Sequence, residues 1–402
     1  MNKIAIDLRA LQIGHENRGI GVVAKKTLEG LSDANTRYIF YIFDDTNPLN
    51  TINLSIPKES YKIVRTKRLN TEVKKPYDIV DALKLSFHKF TKLRAEKPDT
   101  FIQFDFNLGL IRSRRIKTII IGYDLIPLIL DKQYLPKPFF ALSHTVGRKA
   151  KAKAFLRAIY YRSKAKRNYQ NFRRANKVLA ISDTVRTSFI DILGIRPEKI
   201  DTLFLGADVS NKYSDAILKK LNISKDYIFY IGGTDARKSV SDLIYAFNIT
   251  KGRGSDIELV LAGNEFVSIN KIPDPAAVRA IKNSPYKDSI KLAGYITNEE
   301  KNSLYKNAHA FVFCSTYEGF GLPAIEAQKN QCPVIAYDNS CLHELLGESS
   351  ILVETNNYVA VAAAIGSLFD AKRRKKLIGS GLMNAEPYSW DKFSDKFNSY
   401  LK

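Results

Sequence analysis

Glu318 and Glu326 stand with seven residues between them, Gly319-Phe320-Gly321-Leu322-Pro323-Ala324-Ile325. Gly319 and Gly321 permit a tight turn in which backbone can approach a ligand closely. Pro323 suits the first turn of a helix, where its missing N–H costs nothing, and residues 324–329 continue that helix. The apolar run before the turn, 308–313, reads as a buried strand. Strand, glycine loop and helix N-terminus together present free N–H donors and a partial positive charge, which favours phosphate. Two carboxylates are also what a glycoside hydrolase uses as its acid–base pair. Glu326, however, shares one short strand–loop–helix with the phosphate-binding amides, which argues for a binding role. The plain alternative is a strand-to-helix turn with a capping glutamate.

Two further stretches repeat this design. Residues 227–231 read as a strand, followed by Gly232-Gly233-Thr234-Asp235-Ala236-Arg237-Lys238-Ser239 and then a helix carrying 243–249. Arg offers a planar fork for two phosphate oxygens and Lys a compact point charge. At the start of the chain, 4–9 reads as a strand, Gly14, Gly19 and Gly21 fall in the next loop, and a helix begins near Ile20. That order describes a Rossmann-like phosphate site.

The elements that must hold these loops alternate. Strands are expected at 38–43, 100–104, 118–121, 177–181 and 200–204, a linker at 206–212, and strands again at 227–231, 258–262, 290–292, 308–313, 334–337 and 350–353. Helices lie between most of them; 78–90 has helical spacing, Ser182 can cap one helix, and Asn298 is expected to cap another. The stretch 47–75 is polar and proline-bearing and reads as an insertion that could touch an acceptor. Restarted alternation after a linker argues for two parallel α/β domains facing a cleft. The 402 residues suit two cores.

The chain has 63 Lys and Arg against 41 Asp and Glu, a formal charge of +22. Such a balance attracts polyanions. Residues 148–177 concentrate it, with twelve Lys or Arg, no Asp or Glu, and apolar Phe155, Leu156, Ile159, Tyr160 and Phe172 interleaved. A basic amphipathic helix of this kind suits an anionic membrane surface. Nucleic acid is the weaker reading, because no binding motif accompanies the charge. No signal segment and no spanning apolar run is expected, and the three cysteines, Cys314, Cys332 and Cys341, fit a reducing compartment. No Asp-x-Asp triplet occurs and the five histidines have no ligand spacing.

The stretch from Cys314 to Ala327 resembles the signature of retaining glycosyltransferases of family 4, which have the two-domain GT-B fold. The resemblance implies that Glu318 contacts hydroxyls of a donor sugar. It also implies that Gly319, Phe320, Gly321 and Leu322 meet the sugar and diphosphate, and that Glu326 meets the nucleotide ribose. The loop at 232–239 is similar to the family's second signature, and Arg237 and Lys238 match its paired cations on the donor diphosphate, with Gly233 beside them. The segment with Gly19 and Gly21 is similar to one that approaches donor phosphate and acceptor, making Arg9 and Arg18 candidates for phosphate or acceptor contacts. Gly122-Tyr123-Asp124-Leu125-Ile126-Pro127 resembles a loop that commonly reads His-Asp-Leu-Ile-Pro near the transferred sugar. Here Tyr123 replaces the histidine, and Asp124 keeps its place as acceptor for a sugar or acceptor hydroxyl. Ile296 falls in a loop that in the family lies beside the base.

The resemblance therefore implies an N-terminal acceptor domain over 1–206, joined by a returning helix over 389–402, and a nucleotide-sugar domain over 213–388. It implies a metal-independent hexosyltransferase without a bound cofactor. Its co-substrate would be GDP-mannose, a UDP-sugar or dTDP-rhamnose, and its acceptor a glycan or lipid-linked glycan. The setting would be bacterial surface polysaccharide synthesis (lipopolysaccharide, O-antigen or capsule), on the inner face of the cell membrane. The competing readings are a polyanion-binding protein on a degenerate scaffold and a nicotinamide-dependent oxidoreductase. The second lacks a clean Gly-x-Gly-x-x-Gly and leaves both glutamates unexplained.

Overall fold

The structure is a computed structural model that describes residues 2–12, 19–33, 36–66, 95–106, 115–135, 148–207, 209 and 212–401. The chain divides into two compact units, Met1–Leu205 with Trp390–Lys402, and Gly206–Ser389.

The first unit holds a seven-stranded sheet. Its strands are β1 (Lys3–Asp7), β2 (Arg37–Phe43), β3 (Tyr61–Thr66), β4 (Thr100–Gln103), β5 (Lys117–Gly122), β6 (Lys177–Ala180) and β7 (Ile200–Thr202), in the order β3-β2-β1-β4-β5-β6-β7. Every pairing is parallel. Parallel strands covered on both faces read as continuous apolar runs, and β2, Arg-Tyr-Ile-Phe-Tyr-Ile-Phe, is buried at all but its first residue. The edge strand β3 lies inside 47–75, where the sequence reading expected an insertion. Its exposed Lys62 and Arg65 make it look like a loop, yet Val64 and Thr66 are buried and six residues pair with β2. The helix expected over 78–90 lies outside the described residues.

The second unit holds a six-stranded parallel sheet in the order β10-β9-β8-β11-β12-β13. Its strands are β8 (Tyr227–Ile231), β9 (Glu258–Ala262), β10 (Ile290–Gly294), β11 (Ala310–Phe313), β12 (Val334–Tyr337) and β13 (Ile351–Val353). The chain runs outward from β8 to β10 and then returns to the other side of β8 as β11. The carboxyl ends of β8 and β11 thus flank a topological switch point, where open α/β sheets bind ligands.

The helix Trp390–Ser399 packs on the first unit. Trp390, Phe393 and Phe397 are buried, Asn398 Nδ2 donates to Gly30 O at 2.8 Å, and Asn2 Nδ2 donates to Leu401 O at 2.9 Å. Any Cβ on Gly30 would sit 2.0 Å from Ser394 Oγ, so glycine is required for this helix to seat. Among the described residues, no helix is long and apolar enough to cross a membrane.

Candidate active site

The two signature loops of the second unit follow β8 and β11 and interlock. Asp235 accepts from Arg237 N at 3.2 Å and so starts the single turn Ala236–Lys238. Arg237 O then takes the N–H of Thr316 at 2.7 Å. Arg237 Nη1 donates to Tyr317 O and to Glu318 Oε1, both at 2.8 Å. Lys238 Nζ and Ser315 Oγ donate to the same Glu318 oxygen. Lys238 Nζ also lies 4.8 Å from the centre of the Phe313 ring. From below, Ser340 Oγ accepts from Glu318 N at 3.0 Å and Asn339 Nδ2 donates to Ser315 O at 2.9 Å. The result is a buried carboxylate held by two cations and a hydroxyl.

Two glycines make this geometry affordable. Gly321 has φ +82°, and a Cβ there would meet Leu342 Cδ2 at 2.7 Å. It is followed at once by the helix Leu322–Lys329 with Pro323 in its first turn. The first amides of a helix lack intrahelical acceptors, so this end adds donors beside the cation pair. Gly263, at the end of β9, has φ +138°, and a Cβ there would stand 2.1 Å from Gly232 O. Only glycine lets β9 end against the 232–239 loop.

The electrostatics follow from burial. Desolvation alone would raise the Glu318 carboxyl, but Lys238 and Arg237 outweigh it and hold it below its ordinary 4.5. Burial, aided by Arg237, pushes the Lys238 ammonium below its usual value although Glu318 opposes the shift. A carboxyl depressed on folding contributes stability that is complete above its unfolded pKa and is lost as pH falls through the folded one. The stability gap between the wild type and Glu318→Gln should therefore be constant from about pH 7 to about pH 5 and narrow below that. Urea titrations across this range measure the gap; a gap that stays constant into the acid limb would contradict the shift.

Glu326, on the same helix, accepts from Lys301 Nζ at 2.7 Å and from Tyr305 OH at 3.4 Å. Burial and the Glu326 charge push the Tyr305 hydroxyl well up, so it stays a donor. Lys301 and Tyr305 ride the helix Asn298–Asn307, whose cap is Thr297 in a capping box with Glu300 rather than the expected Asn298. Asn298 itself is the first helical residue, because Thr297 keeps the extended backbone that a cap needs. Ile296 is buried two residues past β10, and Tyr295 beside it is 66% exposed. Phe320 is buried edge-on against Tyr388, with ring centres 5.8 Å apart.

Sequence reasoning missed the groups that hold this machinery. Glu265 Oε2 accepts from both Thr234 N and Thr234 Oγ1 at 2.6 Å, and Tyr230 OH donates to Gly233 O at 2.6 Å, so together they fix the glycine loop. Ser315, Ser340, Lys301 and Tyr305 were missed as well. Only Ser315, inside the signature stretch, carried a signal.

In the first unit the candidates stand differently. Arg9 is 1% exposed, and its Nε and Nη2 donate to Asp7 Oδ1 and Oδ2 at 2.8 and 2.7 Å. A guanidinium so committed replaces the expected phosphate or acceptor contact with an internal ion pair. Arg18 and Gly14 lie outside the described residues. Gly19 opens the helix Gly19–Glu29 in the open, with nothing within 4 Å of an added Cβ, whereas Gly21 is buried. Asp124 Oδ1 accepts from Ile126 N at 3.0 Å, which makes it a turn former. The Tyr123 hydroxyl is buried with no hydrogen-bond partner among the described residues. Burial and the neighbouring Asp105 charge raise its pKa. Among the described residues, no cluster of three His, Cys, Asp or Glu could hold a metal.

Residues 213–381 match the family model described as Glycosyl transferases group 1. This segment is a glycosyl transferases group 1 domain. It contains both interlocked loops, Glu318 and Glu326. The chain is 28% identical over 236 residues to an O-antigen chain mannosyltransferase B of Escherichia coli, covering 56% of this chain and 59% of that protein. It is 24% identical over 245 residues to the capsular polysaccharide biosynthesis glycosyltransferase CapM of Staphylococcus aureus, covering 57% and 63%. The matches thus span less than two thirds of these relatives' own lengths. Among solved structures, sucrose-phosphate synthase from Thermosynechococcus elongatus superposes with a TM-score of 0.70 at 17% identity, covering 100% of this chain and 98% of that one. Anabaena Alr3699/HepE in complex with UDP and glucose gives 0.70 at 15% identity, covering 100% and 99%. At these identities the likeness concerns the fold: two parallel Rossmann-like units of the GT-B class.

Proposed function

We propose that the chain is a retaining, metal-independent glycosyltransferase of family 4. It would move a sugar from a nucleotide diphosphate-sugar to a hydroxyl of a glycan or lipid-linked glycan during bacterial surface polysaccharide synthesis. The observation that carries this reading is the convergence of Arg237, Lys238 and Glu318 at the switch point, directly ahead of the helix Leu322–Lys329. Negative charge develops on the departing diphosphate, and fixed donors aimed at that charge lower the barrier. Arg237 and Lys238 stabilise this charge in place of a metal, and the amides of residues 319–322 add to that stabilisation. Glu318, once the diphosphate takes over its cations, turns its oxygens to sugar hydroxyls. Glu326, oriented by Lys301 and Tyr305, accepts from the ribose, and Ile296 borders the base. Tyr123 and Asp124, just past β5, are the residues of the first unit we assign to the acceptor.

The mannosyltransferase and capsule-synthesis names of the relatives support a surface-polysaccharide role, with GDP-mannose as the first donor to try and UDP-sugars and dTDP-rhamnose next. The basic helix Arg148–Arg174 supports a place on the anionic inner face of the membrane.

A thermal-shift panel of GDP-, UDP-, dTDP- and ADP-sugars, with NADH as control, tests the reading. One nucleotide family should raise Tm, and both Lys238→Ala and Glu326→Ala should weaken that rise. The Glu326 variant should weaken the free nucleoside diphosphate about as much as the sugar nucleotide. A rise with NADH alone would overturn the assignment. Turnover should also survive excess EDTA.

A further inference from the structure

The first unit contains a cavity of ≈ 460 Å³ between the C-terminal half of the helix Arg148–Arg174, the end of the helix Asp183–Leu193 and the segment after β5. Its lining joins Arg162, Lys166 and Arg173 with apolar Leu128, Ile192 and Leu193. Arg162 is held in place: it donates to Leu135 O and lies 3.7 Å from Asp131 Oδ2. Lys166 and Arg173 are exposed and have no carboxylate partner among the described residues. Arg173 Nη2 lies 3.8 Å from where a Cβ on Gly194 would be, at the left-handed cap of the helix Asp183–Leu193. A helix C-terminus favours a cation, so the guanidinium is stationed at the cavity without being neutralised.

The apolar part continues outward. Leu156, Ile159, Ser163, Lys166, Gln170 and Arg173 follow one another at alternating spacings of three and four, which puts them on one stripe of the helix. Leu156 is 65% exposed, Ile159 41%, and Ile192 across the cavity 50%. Isolated exposed apolar residues are ordinary, but here Ile192 lines a cationic cavity, and Ile159 and Leu156 continue the helix stripe that forms one of its walls. The combination matches a ligand with a phosphate at one end and a hydrocarbon chain at the other.

We propose that this cavity binds the phosphate group of a membrane amphiphile, with Lys166 and Arg173 on the phosphate oxygens and the chain lying over Ile192, Ile159 and Leu156. The site rests on the membrane part of the function proposed above, and not on the sugar donor. It turns a diffuse basic surface into a defined headgroup site and orients the first unit on the bilayer.

The test is co-sedimentation of the full chain with phosphatidylcholine vesicles, plain or doped with hexadecyl phosphate. The double variant Lys166→Ala/Arg173→Ala is compared with Arg167→Ala/Arg174→Ala, which removes the same charge from exposed positions of the same helix that do not line the cavity. Doped vesicles should bind the wild type, and the cavity pair should lose about ten-fold or more in affinity. The control pair should lose only what charge removal costs anywhere on the helix. Ile192→Asn should weaken binding to hexadecyl phosphate while leaving any response to inorganic pyrophosphate unchanged. Equal losses in the two pairs would overturn the cavity site and leave a diffuse membrane surface standing. No wild-type binding to doped vesicles would overturn both. Binding of pyrophosphate in solution as tight as that of the doped vesicle would replace the amphiphile with a soluble phosphate.

Discussion

Lys238→Ala should lower kcat by about 10²–10³-fold while the protein remains folded, the loss typical of one fixed donor aimed at developing charge. The magnitude rests on burial. Lys238 is largely buried against the Phe313 ring, with its side chain 14% exposed, and within its loop only Arg237 also reaches the same oxygen of Glu318. Lys238→Arg should recover only part of the rate, because a fork does not reproduce a point charge in a pocket shaped around it. Single-turnover measurements with saturating donor are the check. A loss confined to KM would mean that Lys238 binds ground state and transition state equally and does not assist departure of the diphosphate.

Glu318→Ala should destabilise the second unit by roughly 3–5 kcal/mol, the usual penalty for removing one partner of a buried ion pair. In the wild type this carboxylate, with a side chain 10% exposed, offsets two cations whose own side chains are 17% and 14% exposed. Without it Lys238 loses the carboxylate it donates to, and Arg237 keeps Asp235 at 3.8 Å and the Tyr317 carbonyl at 2.8 Å. An added anion that fits between the two cations should then stabilise the variant more than the wild type. Urea unfolding with and without pyrophosphate measures this, and an equal response of both proteins would mean that the cations are not available to a diphosphate. Glu318→Gln, which keeps the shape, separates the lost charge from the lost contacts.

How much of this was legible follows from where each interaction sits in the chain. The loops at 232–239 and 314–322 declared themselves through glycine, proline and charge within a few residues, and the order strand, loop, helix held for both. Glu265 fixes Thr234 from 31 positions away, and Lys301 reaches Glu326 across 25. Neither pairing leaves a local pattern, because only the sheet order brings the partners together. Arg9 misled for the opposite reason. Its candidacy came from the resemblance of its segment, and only burial reveals that Arg9 and Asp7 satisfy each other. The strand β3 was hidden because an edge strand with Lys and Arg on its open side has the composition of a loop.

The helix Trp390–Ser399 has a consequence for how the protein is made. Residues 206–389 form one contiguous unit whose two ends are stitched together: Ala207 N donates to Tyr388 O at 3.1 Å, and Lys329 Nζ donates to both Ala207 O and Tyr388 O. The flanking unit is split, and its apolar seat for Trp390, Phe393 and Phe397 stays open until residues 390–402 have left the ribosome. The later-starting unit can therefore finish first. Until the helix Trp390–Ser399 emerges, the nascent chain carries an incomplete first unit, with the strongly basic segment 148–177 already synthesised.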